Sequence, residues 1–410
     1  MPRLGWLFLG ISLALAVSLS VSGSRSAASQ AKVEFLETTA NYYFGGQVNF
    51  WARIRSTAPP ESVQIFYKSQ GDANTSVGQA NISQDEILYT LDLTSHPLVA
   101  FSEVIYYFGI KLPTESIVSP TYSFYYEDNR FNWQAMQNGP FQVHWYVGDL
   151  AFGQTVLDAA QSGLLKAQTI LDLPAPEKVN IYVYATGAEM KSTEMLGGLK
   201  LVAGHASPDL GLIVVSLPPG PDQRMETERQ VPHELMHILL YQRLGNDSFR
   251  LPIWFNEGLA SFNEAQANPD YYTSVDEAIK KNAIIPMKTL CRSFRSDEPY
   301  WTQSYAQADS FIRYLYSQYG SSGLESLMEN YANGVDCERG TVLALGKSLD
   351  QLERRWLTYS FNENVMLNAL GFISPWLVIL VVTLFAPVFL TFYSMKVKDK
   401  NKTGALVSKG

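Results

Sequence analysis

The segment His233-Glu234-Leu235-Met236-His237 has the residue types and spacing of a metal-dependent hydrolase. Two histidines four positions apart lie on one face of a helix, so both imidazoles can reach a single ion. Zinc suits such a pair, and the glutamate beside the first ligand can act as general base on a water that the metal holds. With five histidines in 410 residues, chance rarely produces this spacing. The alternative is an amphipathic helix whose histidines have partners inside the core.

A candidate third ligand, Glu257, follows about twenty residues later in Trp254-Phe255-Asn256-Glu257-Gly258. A turn near 243–247 and a proline at 252 predict two helices joined by a short loop. Antiparallel packing of these helices would bring Glu257 over the histidine face. Two neutral imidazoles and one carboxylate leave a fourth position open for water, as a catalytic zinc requires. A glutamate on the surface of a helix is the alternative.

These two motifs together carry a family resemblance. HExxH followed by W-x-N-E-G-hydrophobic-A resembles the gluzincin metallopeptidases, which include aminopeptidase N and thermolysin. The resemblance is nearer to the peptidase MA-like families of compact, often membrane-attached gluzincin domains, and it runs from about residue 141 to residue 364. It implies a zinc-dependent peptidase in which Glu257 completes a ligand set with His233 and His237.

A further segment, around Tyr305, resembles the S-Y-x-K-G-A segment of aminopeptidase N-like enzymes. The tyrosine of that segment hydrogen-bonds the oxyanion of the tetrahedral intermediate, and the resemblance assigns this role to Tyr305. Gln307 and Ala308 stand where those enzymes have Lys-Gly. A core tyrosine without a catalytic role is the alternative.

The G-x-M-E-N motif, by which aminopeptidase N-like enzymes hold a free amino terminus, has no counterpart here. The corresponding stretch, residues 204–215, contains no Met-Glu-Asn. The resemblance therefore favours an endopeptidase over an aminopeptidase, with a peptide or protein as substrate.

Both ends of the chain predict membrane targeting. Arg3 and the apolar run 4–21 indicate a secretory signal over residues 1–31, with an uncleaved anchor as the alternative. Residues 373–395 are apolar, uncharged and long enough to span a bilayer, and the lysine-rich segment 396–410 follows directly. The positive-inside rule then predicts a single-pass protein with a cytoplasmic tail and extracytoplasmic domains.

Charge and cysteine content limit the partners. The net charge is −8, and no basic stretch occurs outside the tail, which disfavours nucleic acid. The two cysteines, Cys291 and Cys337, fall in the part predicted to face outward, where a disulfide would persist. A bridge and two buried thiols both remain open at this stage.

The elements that must position these residues predict a multidomain chain. An N-terminal all-β, immunoglobulin-like sandwich is expected over residues 32–128, from alternating strands at 47–54, 62–68, 86–93, 103–112 and 119–126. An α+β zincin-like domain is expected over residues 129–366, with strands at 141–147, 178–184 and 211–215. Helices are expected at 152–171, 302–319, 321–332 and 348–362, the last three forming a helical C-terminal part.

Pro232, directly before the first histidine, permits two interpretations. It either begins the metal-binding helix or kinks it.

Two rival functions remain beside the membrane-anchored peptidase. A catalytically silent envelope protein could keep a zincin fold for binding, although such a protein would be expected to lose Glu234 or a ligand first. An intramembrane protease of the site-2 type would need HExxH within a membrane helix. The charged flanks Arg224, Glu226 and Arg243 leave too short an apolar run for that.

Overall fold

The computed structural model describes residues 33–198, 206–281, 283–297, 300–360 and 383–385. The predicted signal segment and cytoplasmic tail lie outside these ranges, as does the predicted membrane helix apart from 383–385. Within the described ranges, no helix is both long and apolar enough to cross a membrane.

The N-terminal region is an all-β domain, as predicted. Its eight strands form one folded sheet in the order β1-β2-β5-β4-β3-β6-β7, with β8 also paired to β6. The strands are Val33–Tyr43 (β1), Gln47–Ser56 (β2), Ser62–Ser69 (β3), Ser76–Ser83 (β4), Glu86–Asp92 (β5), Ser102–Lys111 (β6), Ser116–Val118 (β7) and Tyr122–Tyr126 (β8).

The sheet folds over itself at β4, which pairs with β3 through its first half and with β5 through its second. The two halves therefore face each other across a core of inward-facing side chains. Phe50 of β2 contacts Tyr106 of β6 and Phe124 of β8, with ring centroids 4.9 and 6.1 Å apart. The strict alternation of buried and outward residues in β2 and β6 follows from this arrangement.

A second, five-stranded sheet in the order β12-β13-β11-β10-β9 begins the α+β domain. Its strands are Gln134–Asn138 (β9), Phe141–Trp145 (β10), Val179–Tyr184 (β11), Ala206–Ser207 (β12) and Leu212–Ser216 (β13). The three central strands run parallel, and the edge strands β9 and β12 are antiparallel to their neighbours. β12 and β13 lie directly before the helix that carries HExxH.

The β-domain covers one face of this second sheet. Along β11, Ile181 and Val183 belong to the core beneath the helices, whereas Tyr182 and Tyr184 belong to the core of the β-domain. Strands of a sheet that is covered on both faces consist almost entirely of apolar residues. Strands β11 and β13 have such sequences, and nearly all of their residues are buried. The two domains therefore share a packed interface.

Helices surround the other face and form the C-terminal part of the domain, as predicted, except α2, whose Met190 belongs to the core of the β-domain. The helices are Leu150–Ile170 (α1), Gly187–Leu196 (α2), Gln223–Leu244 (α3), Ile253–Asn263 (α4), Pro269–Lys280 (α5), Tyr300–Ala332 (α6) and Cys337–Leu345 (α7), and residues 349–360 are also helical. The backbone of α6 breaks at Gly320, where φ is 64°, at the predicted boundary between two helices.

The two cysteines form a disulfide, which decides between the alternatives left open by the sequence. Cys291 and Cys337 bridge across 46 residues and join the segment before α6 to the first turn of α7. The indole Nε1 of Trp254 donates to Cys337 Sγ at 3.2 Å, so the bridge also contacts α4, which carries Glu257.

Candidate metal centre

The centre is built where α3 and α4 pack together. A 3-10 turn at Gly245–Arg250 reverses the chain after α3, and α4 begins at Ile253, directly after Pro252. One potential ligand atom from each of His233, His237 and Glu257 falls in a group with all atoms within 4.8 Å of one another. Glu257 Oε2 lies 3.6 Å from His233 Nε2 and 3.8 Å from His237 Nε2. The three side chains singled out by the sequence therefore meet at one point.

The polar atoms that face this point lack protein partners. Glu234 Oε2, His237 Nε2 and Glu257 Oε2 are buried and make no hydrogen bond. Burial of a polar atom without a partner costs free energy, so proteins rarely leave several together. Two imidazole nitrogens and one carboxylate oxygen are the donor set of a catalytic zinc site. The residues present therefore fit a zinc ion.

The far nitrogens of both imidazoles are held by oxygen acceptors. His233 Nδ1 lies 3.0 Å from Glu264 Oε1, and His237 Nδ1 lies 3.3 Å from Asn256 Oδ1. Donation from Nδ1 to these oxygens leaves each Nε2 as the lone-pair nitrogen directed at the centre, which is how outer partners orient metal-binding histidines. Asn256 belongs to the N-E-G motif, whereas sequence reasoning missed Glu264. Its signal was its position directly after α4, seven residues from Glu257 and so about two helical turns further along the chain.

Pro232 explains how Glu264 is held. It lies inside α3, which starts at Gln223 and continues through it, so it does not begin the helix. A proline has no N–H to donate to the carbonyl four residues earlier, that of Glu228. Instead the backbone N–H of Ala265 donates to Glu228 O at 3.0 Å. The side chain of Asn263 donates to Pro232 O at 2.7 Å, which fixes the residue on the other side of Glu264.

Helix α1 also holds the segment around Glu264 in place. Lys166 Nζ of α1 donates to Glu264 O at 2.7 Å. Close approach of α1 to α3 depends on Gly163, because a Cβ there would lie 2.8 Å from Pro232 Cβ. The end of α4 is thus attached to α3 and α1 at three successive residues, 263–265.

The electrostatics of the site favour protonation of Glu234 and His233, whereas burial lowers the pKa of His237. Burial raises the pKa of Glu234 to about 8. Burial opposes protonation of His233, but the neighbouring carboxylates of Glu257, Glu264 and Glu234 outweigh it and raise its pKa to about 10. Burial would raise the pKa of Glu257, but the two histidines hold it below its usual value. Since ligands must be deprotonated to bind a metal, metal uptake at this site must release protons.

Tyr305 lies at the edge of the centre. Its ring packs against Phe294 and Trp301, with centroids 5.1 and 4.7 Å away, and lies 6.3 Å from the ring of His233. Burial raises the pKa of Tyr305 well above its ordinary value, and the neighbouring carboxylates of Glu257 and Glu234 raise it further. The hydroxyl therefore stays protonated and can donate a hydrogen bond.

Comparison with known proteins agrees with this geometry. A family model of the Peptidase MA superfamily matches residues 159–362, a range that contains His233, His237, Glu257 and Tyr305. Among curated proteins, none matches the chain significantly.

Solved structures show partial likenesses at low sequence identity. The M1 zinc metallopeptidase of Deinococcus radiodurans is 9% identical, with 76% of this chain and 89% of that chain covered and a TM-score of 0.34. BhCBM56 is 10% identical, with 22% and 88% covered and a TM-score of 0.18. A laminaripentaose-producing β-1,3-glucanase of GH family 64 from Paenibacillus barengoltzii is 13% identical, with 27% of each chain covered and a TM-score of 0.17.

Proposed function

We propose that this chain, whose residues 159–362 belong to the Peptidase MA superfamily, is a zinc-dependent peptidase that hydrolyses bonds within peptide chains. The observation that carries the proposal is the group of buried, unpartnered atoms on Glu234, His237 and Glu257, beside His233 Nε2. These atoms supply the ligands and the general base that such hydrolysis requires, and they have no partner elsewhere among the described residues.

The ligand role falls to His233, His237 and Glu257. A zinc ion bound there supplies a Lewis acid and a water of lowered pKa. The protein holds the two imidazoles through Glu264 and Asn256, so their orientation is set before any metal binds. His237 and Glu257 are almost fully buried, which limits competition from bulk water.

Proton transfer falls to Glu234. Its carboxylate is buried, lies close enough to His233 and Glu257 to interact with their charges, and keeps Oε2 free of any protein hydrogen bond. We assign it the removal of a proton from the attacking water and delivery of that proton to the departing amine.

Oxyanion stabilisation is assigned to Tyr305. Its protonated hydroxyl lies against Glu257, within the same buried site, and the aromatic rings of Phe294 and Trp301 fix its position. A positioned O–H aimed at developing negative charge lowers the barrier of acyl transfer. Replacement of Tyr305 by Phe should reduce kcat while zinc remains bound.

Glu234→Gln is the decisive test. The amide keeps the shape of the side chain and is not a ligand, so the variant should keep zinc and fold but lose roughly 10²–10⁴-fold in rate. The measurement is digestion of a diverse pool of N-acetylated peptides by the full-length protein, with zinc content determined in parallel. Glu226→Gln, an isosteric change on the first turn of the same helix, is the matched control and should cleave normally.

The outcomes separate three functions. Internal cleavage of blocked peptides that depends on Glu234 supports the endopeptidase. Stepwise trimming of unblocked peptides alone would keep the chemistry and make this an aminopeptidase. A zinc-loaded protein that cuts nothing, and whose biological phenotype survives Glu234→Gln, would instead be the catalytically silent binding protein.

Attachment to a membrane is a separate part of the proposal. It is supported by the apolar segment 373–395 and the lysines after it, with the signal segment at the other end. Protease added to intact cells should remove both folded domains and leave a tag placed after Gly410 protected. Degradation of that tag from outside would reverse the proposed orientation.

A further inference from the structure

The disulfide and the start of α4 are directly connected. The first N–H groups of a helix have no acceptor within the helix itself. At the start of α4 the N–H of Ile253 donates to the carbonyl oxygen of Cys291 at 3.2 Å. The N–H of Trp254 donates to the carbonyl oxygen of Leu290 at 3.1 Å, and its indole N–H donates to Cys337 Sγ at 3.2 Å. Both cysteines of the bridge therefore contact the first turn of α4.

The same turn carries two residues of the metal centre. Asn256, whose Oδ1 lies against His237, and the proposed ligand Glu257 follow Trp254 by two and three residues. That distance is less than one turn of an α-helix, so these residues move together with the start of the helix. A displacement of Trp254 would therefore change the position of Glu257 relative to the two histidines on α3.

The segment that supplies the two carbonyl groups depends on the disulfide for its attachment. Residues 283–297 contain neither helix nor strand. Earlier in this segment, the N–H of Ile285 donates to Gln307 Oε1 and the N–H of Met287 donates to Glu353 Oε2. At the carbonyl groups themselves, the bridge from Cys291 to α7 is the covalent attachment.

The contacts between this segment and α4 lie inside the protein. Trp254 and Leu290 are almost fully buried, so bulk water cannot replace an acceptor that is lost there. A buried N–H without an acceptor is unfavourable by the cost of its desolvation. The start of α4 is therefore expected to follow the two carbonyl groups when their segment shifts.

We propose that the Cys291–Cys337 disulfide positions the start of α4 and thereby makes zinc binding depend on the redox state of the protein. The oxidised protein holds Glu257 where it completes the ligand set, and the reduced protein binds zinc more weakly. The proposal rests on the metal site of the proposed function and adds a means of regulating it. In an exported chain, zinc binding would stay weak in the reducing cytoplasm and become strong once the bridge forms outside.

Reduction of the bridge is a two-electron step that a dithiol can supply. One thiolate of the dithiol attacks a sulfur of the bridge, so that the S–S bond breaks and the other cysteine leaves as a thiolate and takes up a proton. The second thiol of the reductant then resolves the mixed disulfide and releases the first cysteine. The products are two cysteine thiols and the oxidised reductant. Cys291 and Cys337 are both half-buried, so the reductant can reach the bridge.

The experiment measures the zinc affinity of the full-length protein by competition with a chelator of known affinity. Oxidised wild type is compared with reduced wild type and with Cys291→Ser/Cys337→Ser, which cannot form the bridge. The dithiol is removed under anaerobic conditions before the titration, because dithiols bind zinc themselves. Affinity should be about tenfold lower in the reduced protein and in the double variant. Reoxidation should restore the affinity of wild type and leave that of the double variant unchanged.

A control variant separates positioning of the helix from a general loss of stability. Asp128→Ala removes a buried carboxylate that pairs with Arg130 at 2.6 Å and belongs to no part of the metal centre. It should destabilise the protein and leave zinc affinity unchanged. Hydrogen exchange of the metal-free protein gives a second readout. Reduction should accelerate exchange of the Ile253 and Trp254 amides, while the amides of β2 and β6 stay protected.

The outcomes are distinct. Equal zinc affinity in the oxidised and reduced forms would overturn the proposal, and so would an equal fall of affinity in Asp128→Ala. Unchanged exchange at the start of α4 after reduction of wild type would also overturn it, even where the serine variant does not fold. Oxidised, zinc-loaded protein that cleaves no peptide would refute the peptidase function, while redox-dependent zinc binding would still support the role of the disulfide.

Discussion

The buried carboxylates of Asp128 and Glu257 have opposite surroundings. Asp128, at the junction of the two domains, receives hydrogen bonds from Arg130 at 2.8 and 2.6 Å, from Thr193 at 2.6 Å and from Tyr184 at 3.1 Å. Glu257 is buried to a similar degree, yet its Oε2 has no hydrogen-bond partner. Each site lies against a sheet–helix core, so depth alone does not explain the difference.

The contrast separates a structural cluster from a functional one. A buried charge whose lone pairs are all satisfied stabilises the contact it belongs to, and at Asp128 that contact joins the β-domain to β11 and α2. A buried cluster with several atoms left unpaired is destabilising by itself, so a ligand is expected to complete it. The two clusters should therefore respond differently to mutation and to removal of metal.

The largest expected effect is loss of metal from the cluster of His233, His237 and Glu257, which we call the open cluster because several of its atoms lack partners. Wild type should bind about one equivalent of zinc, and the double variant His233→Ala/His237→Ala should lose most of it, because one carboxylate is too few ligands for a zinc site. Elemental analysis after dialysis measures this. Asp128→Ala serves as the control and should keep its zinc. Retention of zinc by the double variant would refute the assigned ligands.

The next effect is on stability and concerns the closed cluster, which consists of Asp128 and its partners Arg130, Thr193 and Tyr184. Asp128→Ala leaves the partly buried Arg130 without its carboxylate and should lower the free energy of unfolding by about 3–5 kcal/mol. Urea denaturation followed by fluorescence measures the change. The exposed pair Arg53–Glu37 is the matched control, and Glu37→Ala should cost under about 1 kcal/mol. Equal losses in the two variants would show that the Asp128 cluster has no special role.

A smaller effect is expected at Glu264, which connects the open cluster to the rest of the fold. Glu264→Gln keeps the shape but weakens the acceptor for His233 Nδ1, and zinc affinity should fall about 10–100-fold. Competition with a chelator of known affinity measures the change, with Glu226→Gln as control. Unchanged affinity would mean that Glu264 does not orient His233.

The sequence predicted best what depends on local pattern. Strands β2, β3, β5 and β6 alternate between buried and outward residues, so their period is visible in the chain. HExxH identified the two histidines for the same reason, since their spacing is set by helical periodicity. Glu257 was identified by the resemblance of its N-E-G segment to the gluzincin motif. The sequence did not predict β1 and β4, because β1 lacks a clear alternation of buried and outward residues and β4 is rich in polar residues.

What escaped prediction depends on contacts between distant segments. Glu264 contacts His233, 31 residues earlier in the chain, and Asp128 is completed by Tyr184 and Thr193, more than 50 positions away. The burial of β11 on both faces has a sequence trace, because Tyr182 and Tyr184 alternate with Ile181 and Val183. This pattern indicates that both faces of β11 are buried, but it does not indicate that the β-domain buries one of them.

The smallest expected effect concerns Pro232 and asks whether the open cluster is assembled by the backbone itself. Pro232→Ala restores an N–H that can donate to Glu228 O, where it would compete with the N–H of Ala265. Alanine also retains the Cβ that Gly163 accommodates, so no new clash arises.

The weakened contact should loosen Glu264 and lower zinc affinity roughly two- to tenfold, the value of one hydrogen bond. The metal-free protein should meanwhile unfold at the same temperature or a higher one, because alanine favours the helix interior far more than proline does. A simple packing defect would lower both quantities together. Zinc competition and thermal unfolding of the metal-free variant therefore distinguish the two explanations, and unchanged zinc affinity would show that the freed carbonyl does not position Glu264.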